Sequence, residues 1–200
     1  MAKDKISKTL KIVREKGMIR PRELEEYGIA REYLRRMVDR GLLERAARGL
    51  YRIPDADVSE NFSLAEASKK VPNGIICLLS ALRYHDLTTA SPYEVWMAVE
   101  RTSKTPKIDR PLIKIVKFSG QAFNSGIEEA IIENVRVRVY SPAKTVADCF
   151  KYRNKIGMDV ALEALRDCRR QKKCSVDEVW QYAEIDRVSN IMRPYLEAIT

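Results

Sequence analysis

The sequence is poor in the residues that build metal and covalent sites. It holds one histidine, His85, and four cysteines, Cys77, Cys149, Cys168 and Cys174, none of them in a CxxC pair. An ordinary zinc site needs several Cys or His ligands, so no metal is expected. The cysteines form no regular framework, which favours reduced thiols in a cytosolic protein over a disulfide scaffold. No apolar run approaches the roughly 18–20 residues that cross a bilayer, so no membrane partner is expected. The opening MAKDKISKTLKIV lacks an apolar signal core and points to a cytoplasmic location. There is no GxxxxGK[ST] phosphate loop and no nucleophile elbow around Ser80. Internal repeats and low-complexity tracts are missing as well.

What is present is basic charge, concentrated at one end. The 200 residues carry a net charge of +9, and residues 1–53 hold 15 Lys+Arg against 8 Asp+Glu, a net +7 in about a quarter of the chain. Residues 54–200 are nearly neutral, with 22 against 20. A basic block on a neutral body implies a polyanionic partner confined to that end. Hydrophobic content of 45% and charged content of 32% are those of a globular protein with material for a core. The length suits one large domain or two small ones. The acidic stretch Pro54 to Glu60 reads as a linker, dividing a domain at residues 1–58 from a body at residues 59–200.

In the basic block, Ile6, Leu10 and Val13 recur at helical spacing and Gly17 ends that helix. Met18-Ile19-Arg20 reads as a short extended link. Pro21 opens a second helix, with Leu24 and Tyr27 facing inward, and Gly28 stops it. A third helix runs from about Ala30 to Arg40, closed by Gly41. Leu34, Met37 and Val38 share one face of it; Glu32, Arg35, Arg36, Asp39 and Arg40 lie opposite, with Arg31 at the edge. Leu42 to Arg45 and Leu50 to Ile53 read as strands joined at Ala46-Ala47-Arg48-Gly49. A hairpin directly after a third helix is the order of a winged helix-turn-helix. The third helix would enter a major groove, where arginine forks match guanine edges and phosphates. The expected DNA contacts are Arg31, Arg35, Arg36 and Arg40 from that helix, and Arg45, Arg48 and Arg52 from the wing. The bland alternative is a solvated helix face whose Glu32 and Asp39 pair with Arg36 and Arg35, or a winged helix used only for protein contacts.

In the body, Ser63-Leu64-Ala65-Glu66 has the form of a capping box with Phe62 as its staple. A helix follows to about Val71, then a turn at Pro72-Asn73-Gly74 and an apolar helix over Ile75–Tyr84. Glu94–Glu100, Leu112–Phe118, Ala130–Glu133 and Val135–Tyr140 alternate as strands, with Asn134 suited to a hairpin turn. That alternation predicts a sheet with one covered and one wetter face. Ser141-Pro142 caps and opens a helix, Ser175-Val176-Asp177-Glu178 is a capping box for another, and Arg187–Ile199 forms a last helix with Pro194 as a kink or break. The fold class expected is α+β: an N-terminal winged helix-turn-helix followed by a mixed α/β domain.

Catalytic sets are hard to assemble from these residues. His85 adjoins Asp86 and follows Ser80, but sequence neighbours are not a triad, and a structural hydrogen bond at a helix end suits His85 better. Asp55-Ala56-Asp57 lies in the linker with no preceding Gly-Ser. Lys144, Thr145 and Asp148 allow two readings: an anion site at a helix N-terminus, or polar partners inside the domain, which the lack of companion residues favours. The run Arg169-Arg170-Gln171-Lys172-Lys173 is a further phosphate contact or a solvated helix end. No enzymatic activity and no cofactor are expected.

Several segments together carry a family resemblance. They are Gly28-Ile29, Leu34–Val38, Arg40–Leu43 and Arg48–Tyr51 in the basic block, and Ser80–Thr88, Ser141–Cys149 and Ala161–Leu165 in the body. In these the chain resembles the AbiEi-type antitoxins, the regulator halves of bacterial abortive-infection toxin–antitoxin operons. The resemblance implies a transcriptional repressor that binds double-stranded DNA upstream of its own gene and counteracts a nucleotidyltransferase-like toxin, directly or only functionally. Two alternatives remain: a stand-alone winged-helix transcription factor whose body senses a ligand or partner, and an enzyme using a cleft of the body.

Overall fold

The computed structural model describes residues 2–54, 60–105, 108 and 111–198. It is an α+β protein that divides into two compact units. One comprises Met1–Lys70 with Ile131–Arg136; the other comprises Val71–Ala130 with Val137–Thr200. The expected domain boundary at 58/59 and the Asp55-Ala56-Asp57 sequence lie outside the described residues.

The first unit opens with α1 (Ala2–Lys16), β1 (Met18–Ile19), α2 (Pro21–Glu25) and α3 (Glu32–Asp39). It continues through β2 (Glu44–Ala47), β3 (Leu50–Arg52) and α4 (Phe62–Lys70). Its core is Ile12 and Val13 from α1, Ile19 from β1, Leu24 from α2, Ile29 from the turn after it, Leu34 and Met37 from α3, and Leu43. Burying each such side chain is worth about 1.5–3 kcal/mol, which is what holds elements this short together. The expected extended link at Met18-Ile19 is in fact a strand. It pairs antiparallel with β3 and makes a three-stranded sheet in the order β1-β3-β2. Tyr27, expected inward, stands 38% exposed, because α2 already ends at Glu25. Its ring instead lies 5.1 Å beneath the Lys16 ammonium.

Gly17 carries φ +66°, and a Cβ there would collide with the carbonyl of Glu133. This close approach explains why the turn at Ile131–Arg136 belongs to the first unit. The Asn134 amide holds it by donating to the Arg14 carbonyl at 2.9 Å. Ser63 does not cap α4, because the helix begins one residue earlier, at Phe62. Glu66 turns to Lys70 instead, 3.2 Å away.

The second unit contains β4 (Ile75–Ile76), α5 (Leu78–Tyr84), β5 (Val95–Glu100), β6 (Ile113–Phe118), α6 (Gln121–Asn124) and all but the joined ends of β7 (Ile127–Ile132) and β8 (Val135–Tyr140). Five helices follow: α7 (Pro142–Lys151), α8 (Arg153–Ile156), α9 (Met158–Arg170), α10 (Val176–Ile185) and α11 (Ser189–Ala198). The sheet order is β6-β5-β4-β8-β7, with β4 antiparallel to β5, and the β5–β6 and β4–β8 pairs parallel. The apolar run expected as one helix from Ile75 is thus split. Its first two residues bridge β5 and β8 before α5 starts. A short apolar run does not distinguish a buried strand from a buried helix by periodicity.

The expected wetter face holds in part on β8, where Arg136 is exposed and Arg138 half-buried but Tyr140 is buried; on β6 the exposed Lys114 and Lys117 stand three residues apart and so on opposite faces. It fails on β5, which sits inside the sheet with Val95 to Val99 all buried. The β7–β8 turn is Glu133-Asn134, with φ +51° and +57°, the left-handed pair of a two-residue hairpin. Ser141 accepts from the Lys144 amide, and Ser175 with Glu178 forms the expected capping box. Pro194 is accommodated inside α11.

The expectation of four free thiols is corrected at one pair. Cys77 and Cys149 are free and buried, but Cys168 and Cys174 are joined as a disulfide. The chain turns back after α9 through Lys172 at φ +55°, bringing the two Cα atoms to 5.7 Å. Burial pushes the Cys77 and Cys149 thiols well above their ordinary range, and the nearby Asp148 adds to it.

Candidate nucleic-acid interface

Helix α3 is amphipathic by residue spacing, and the structure gives that spacing a direction. Leu34 and Met37 are 1% and 0% exposed and anchor the helix in the core. Arg31, Glu32, Arg35, Arg36, Asp39 and Arg40 are exposed. Arg31 stands at the N-cap and Arg40 at the C-cap, so the arginines run the length of the helix. Gly41 follows at φ +67° and releases the chain from helical geometry. The Leu42 and Leu43 amides then both donate to the Met37 carbonyl, which aims the chain into the hairpin.

The hairpin turn is tighter than the four residues expected. β2 extends through Ala47 and β3 starts at Leu50, leaving Arg48-Gly49 as the loop. Gly49 has φ +71°, a conformation that glycine adopts without steric cost. The β2–β3 register shifts between Arg45 and Ala47, a bulge just before the turn. Arg45 and Arg48 are exposed on this hairpin.

Arg52 is placed differently. It lies opposite Glu44 in the β2–β3 register and its side chain is only 17% exposed. Its Nε donates to the Glu44 carboxylate, and the guanidinium stacks 4.8 Å over the Phe62 ring. The structure therefore groups Arg31, Arg35, Arg36 and Arg40 on one helix and Arg45 and Arg48 on the adjoining hairpin. Arg52 braces the hairpin from within.

Two residues that the sequence reasoning passed over sit beside this surface. Two cations approach the Tyr33 ring: Arg36 of α3 at 5.7 Å and Lys5 of α1 at 5.6 Å, each measured to the ring centroid. The only signal in the sequence was an aromatic residue three positions before an arginine on a helix. Glu32 faces Arg31 at 3.9 Å with both side chains mostly exposed, a pair of small energetic consequence.

Lys144, Thr145 and Asp148, also weighed for chemistry, are interior. Lys144 and Asp148 are completely buried and ion-paired, and Asp186 approaches the same ammonium at 3.4 Å and Lys151 at 3.1 Å. Burial holds the Asp148 carboxyl well above the ordinary range, Lys144 pulls it down, and Asp186 pushes it up. Thr145 donates to the Tyr140 carbonyl at 3.1 Å. The Lys144 ammonium also lies 4.9 Å over the Tyr140 ring and 5.1 Å over Phe118. These contacts favour the internal role over the anion site. His85 caps α5, with Nε2–H donating to the Tyr140 carbonyl at 2.8 Å. Burial lowers its pKa, against the raising effect of that hydrogen bond. Gln171 and Lys173 of the basic run donate to the carbonyls of Asp86 and His85, so that part of the run caps α5.

As a class, the N-terminal residues define a three-helix unit with a small antiparallel sheet and an arginine-lined third helix beside a hairpin. Residues 8–54 match the family model described as "Transcriptional regulator, AbiEi antitoxin". The match covers under a quarter of the chain and includes α3 and the hairpin. The body segments Ser80–Thr88, Ser141–Cys149 and Ala161–Leu165 fall outside it. No curated protein matches the chain. Among the described residues no helix is long and apolar enough to cross a membrane.

Proposed function

We propose that the chain is a DNA-binding, antitoxin-like transcriptional repressor without catalytic activity of its own. Its first unit is read as a winged helix-turn-helix, with α3 as the recognition helix and the β2–β3 hairpin as the wing. The observation that carries this reading is the exposed arginine set of α3, Arg31, Arg35, Arg36 and Arg40, opposite an anchor of two buried residues, Leu34 and Met37. The similarity of residues 8–54 to a transcriptional-regulator family supports it.

Arg35 and Arg36 probe base edges in the major groove, where a fork-shaped donor pairs with guanine acceptors. Arg31 and Arg40 hold phosphates at the two ends of α3. Arg45 and Arg48 contact the backbone or the minor groove from the wing. Arg52 keeps β2 and β3 in register through Glu44 rather than touching DNA itself. The partner is double-stranded operator DNA upstream of the protein's own gene, in the cytoplasm. The body supports operator binding and counteracts a cognate nucleotidyltransferase-like toxin.

Footprinting on the upstream DNA at several salt concentrations tests this. Protection must weaken steeply as salt rises, because phosphate contacts release counterions. Unchanged operator affinity after Arg35, Arg36 and Arg48 are all replaced by alanine overturns the assignment.

A further inference from the structure

The arginine surface of α3 does not end at α3. Lys5 belongs to α1, and its ammonium shares the Tyr33 ring with the Arg36 guanidinium. Two like charges converge on one aromatic side chain although water is available to both. The ring quadrupole attracts each cation, by about 0.5–1 kcal/mol at an exposed site. Both are thereby held near each other in spite of their repulsion. On the same flank of α3 the exposed Arg40, one turn on from Arg36, adds further positive charge, while Glu32 is turned to Arg31. Such a concentration of positive charge draws an anion to this surface.

We infer that Lys5 is a phosphate contact of the proposed DNA interface, and that Tyr33 is a positioning residue aiming Lys5 and Arg36 together at one strand. This rests on the DNA-binding reading and extends the footprint from the recognition helix to the first helix. Arg36 would face base edges and Lys5 the adjoining backbone. The ring they share sets the spacing.

The test is binding of the full chain to the upstream duplex and to an unrelated duplex, each across a salt series. Lys5→Ala should lower the salt slope by about one unit and weaken both duplexes alike, as loss of a single phosphate contact does. Lys11 lies about 120° round α1 from Lys5 and is also exposed, so Lys11→Ala should leave the slope unchanged. Tyr33→Leu should weaken binding about two- to fivefold, while Tyr33→Phe, which keeps the ring, should bind as the parent does. In the Tyr33→Leu background, Lys5→Ala should have less effect than it has alone.

A parental slope in Lys5→Ala overturns the proposal while leaving the DNA reading intact. So does an equal loss in Lys11→Ala, since net charge alone then explains it. A parent protein that binds neither duplex overturns the DNA reading, and this proposal with it.

Discussion

At the scale of single residues, two kinds of cation must be told apart, because the same side-chain chemistry serves opposite ends. Arg36 is exposed and, among the described residues, is held only by the Tyr33 ring, so replacing it should leave folding intact and affect the partner. Arg36→Ala is expected to cost on the order of 1–3 kcal/mol of operator affinity and to relax preference at one base position. Binding titrations on point-substituted operators would check this. Lys144 is the reverse case, completely buried against Asp148 and Asp186. Removing one partner of a buried ion pair leaves uncompensated charge and costs roughly 3–5 kcal/mol. Lys144→Met should therefore lower the urea midpoint sharply, while DNA binding by whatever remains folded is retained. Arg52 falls between these. The sequence placed it on the wing, which was right for the backbone. That its guanidinium turns inward to Glu44 and Phe62 depends on what lies across the strand and was not legible locally.

At the scale of elements, legibility followed the strength of local codes. The helix starts at Pro21, Pro142 and Ser175 were readable because proline at the first position and a capping box act within one turn. The ends at Gly17 and Gly41 were readable because each needs a positive φ, which both adopt; Gly28 adopts one too, but α2 has already ended at Glu25. The Ser175 box makes both reciprocal bonds, so Ser175→Ala should destabilise the protein by about 0.5–2 kcal/mol, measured as a lowered denaturation midpoint. The box at Ser63 has the same sequence form and is not made, because the helix starts at Phe62. β1 and β4 were missed for a different reason. Two-residue strands have no measurable periodicity, and each exists only because a partner strand offers its unpaired backbone groups, β3 for β1 and β5 with β8 for β4.

At the scale of the whole molecule, the single histidine makes one prediction unusually clean. Burial lowers the pKa of His85 below its ordinary 6.5, so the folded protein binds fewer protons there than the unfolded chain. Stability contributed by the neutral ring is present above about pH 6.5 and is lost as pH falls through 6.5 toward the folded-state value. Urea denaturation at pH 7.5, 6.5 and 5.5 should show a falling midpoint, and His85→Gln should flatten that step. An identical pH profile in the variant refutes the linkage.

The sequence by itself determined the charge asymmetry, the order of helices and hairpin in the first 54 residues, and the amphipathic face of α3. These depend on residue type and spacing along a short stretch of chain. Tertiary structure decided which arginines reach solvent, that Tyr33 gathers Lys5 from one helix and Arg36 from another, and that Lys144, Asp148 and Asp186 meet in the interior. Those outcomes join residues far apart in the chain, and their energies come from burial and cross-element geometry, which no local pattern encodes.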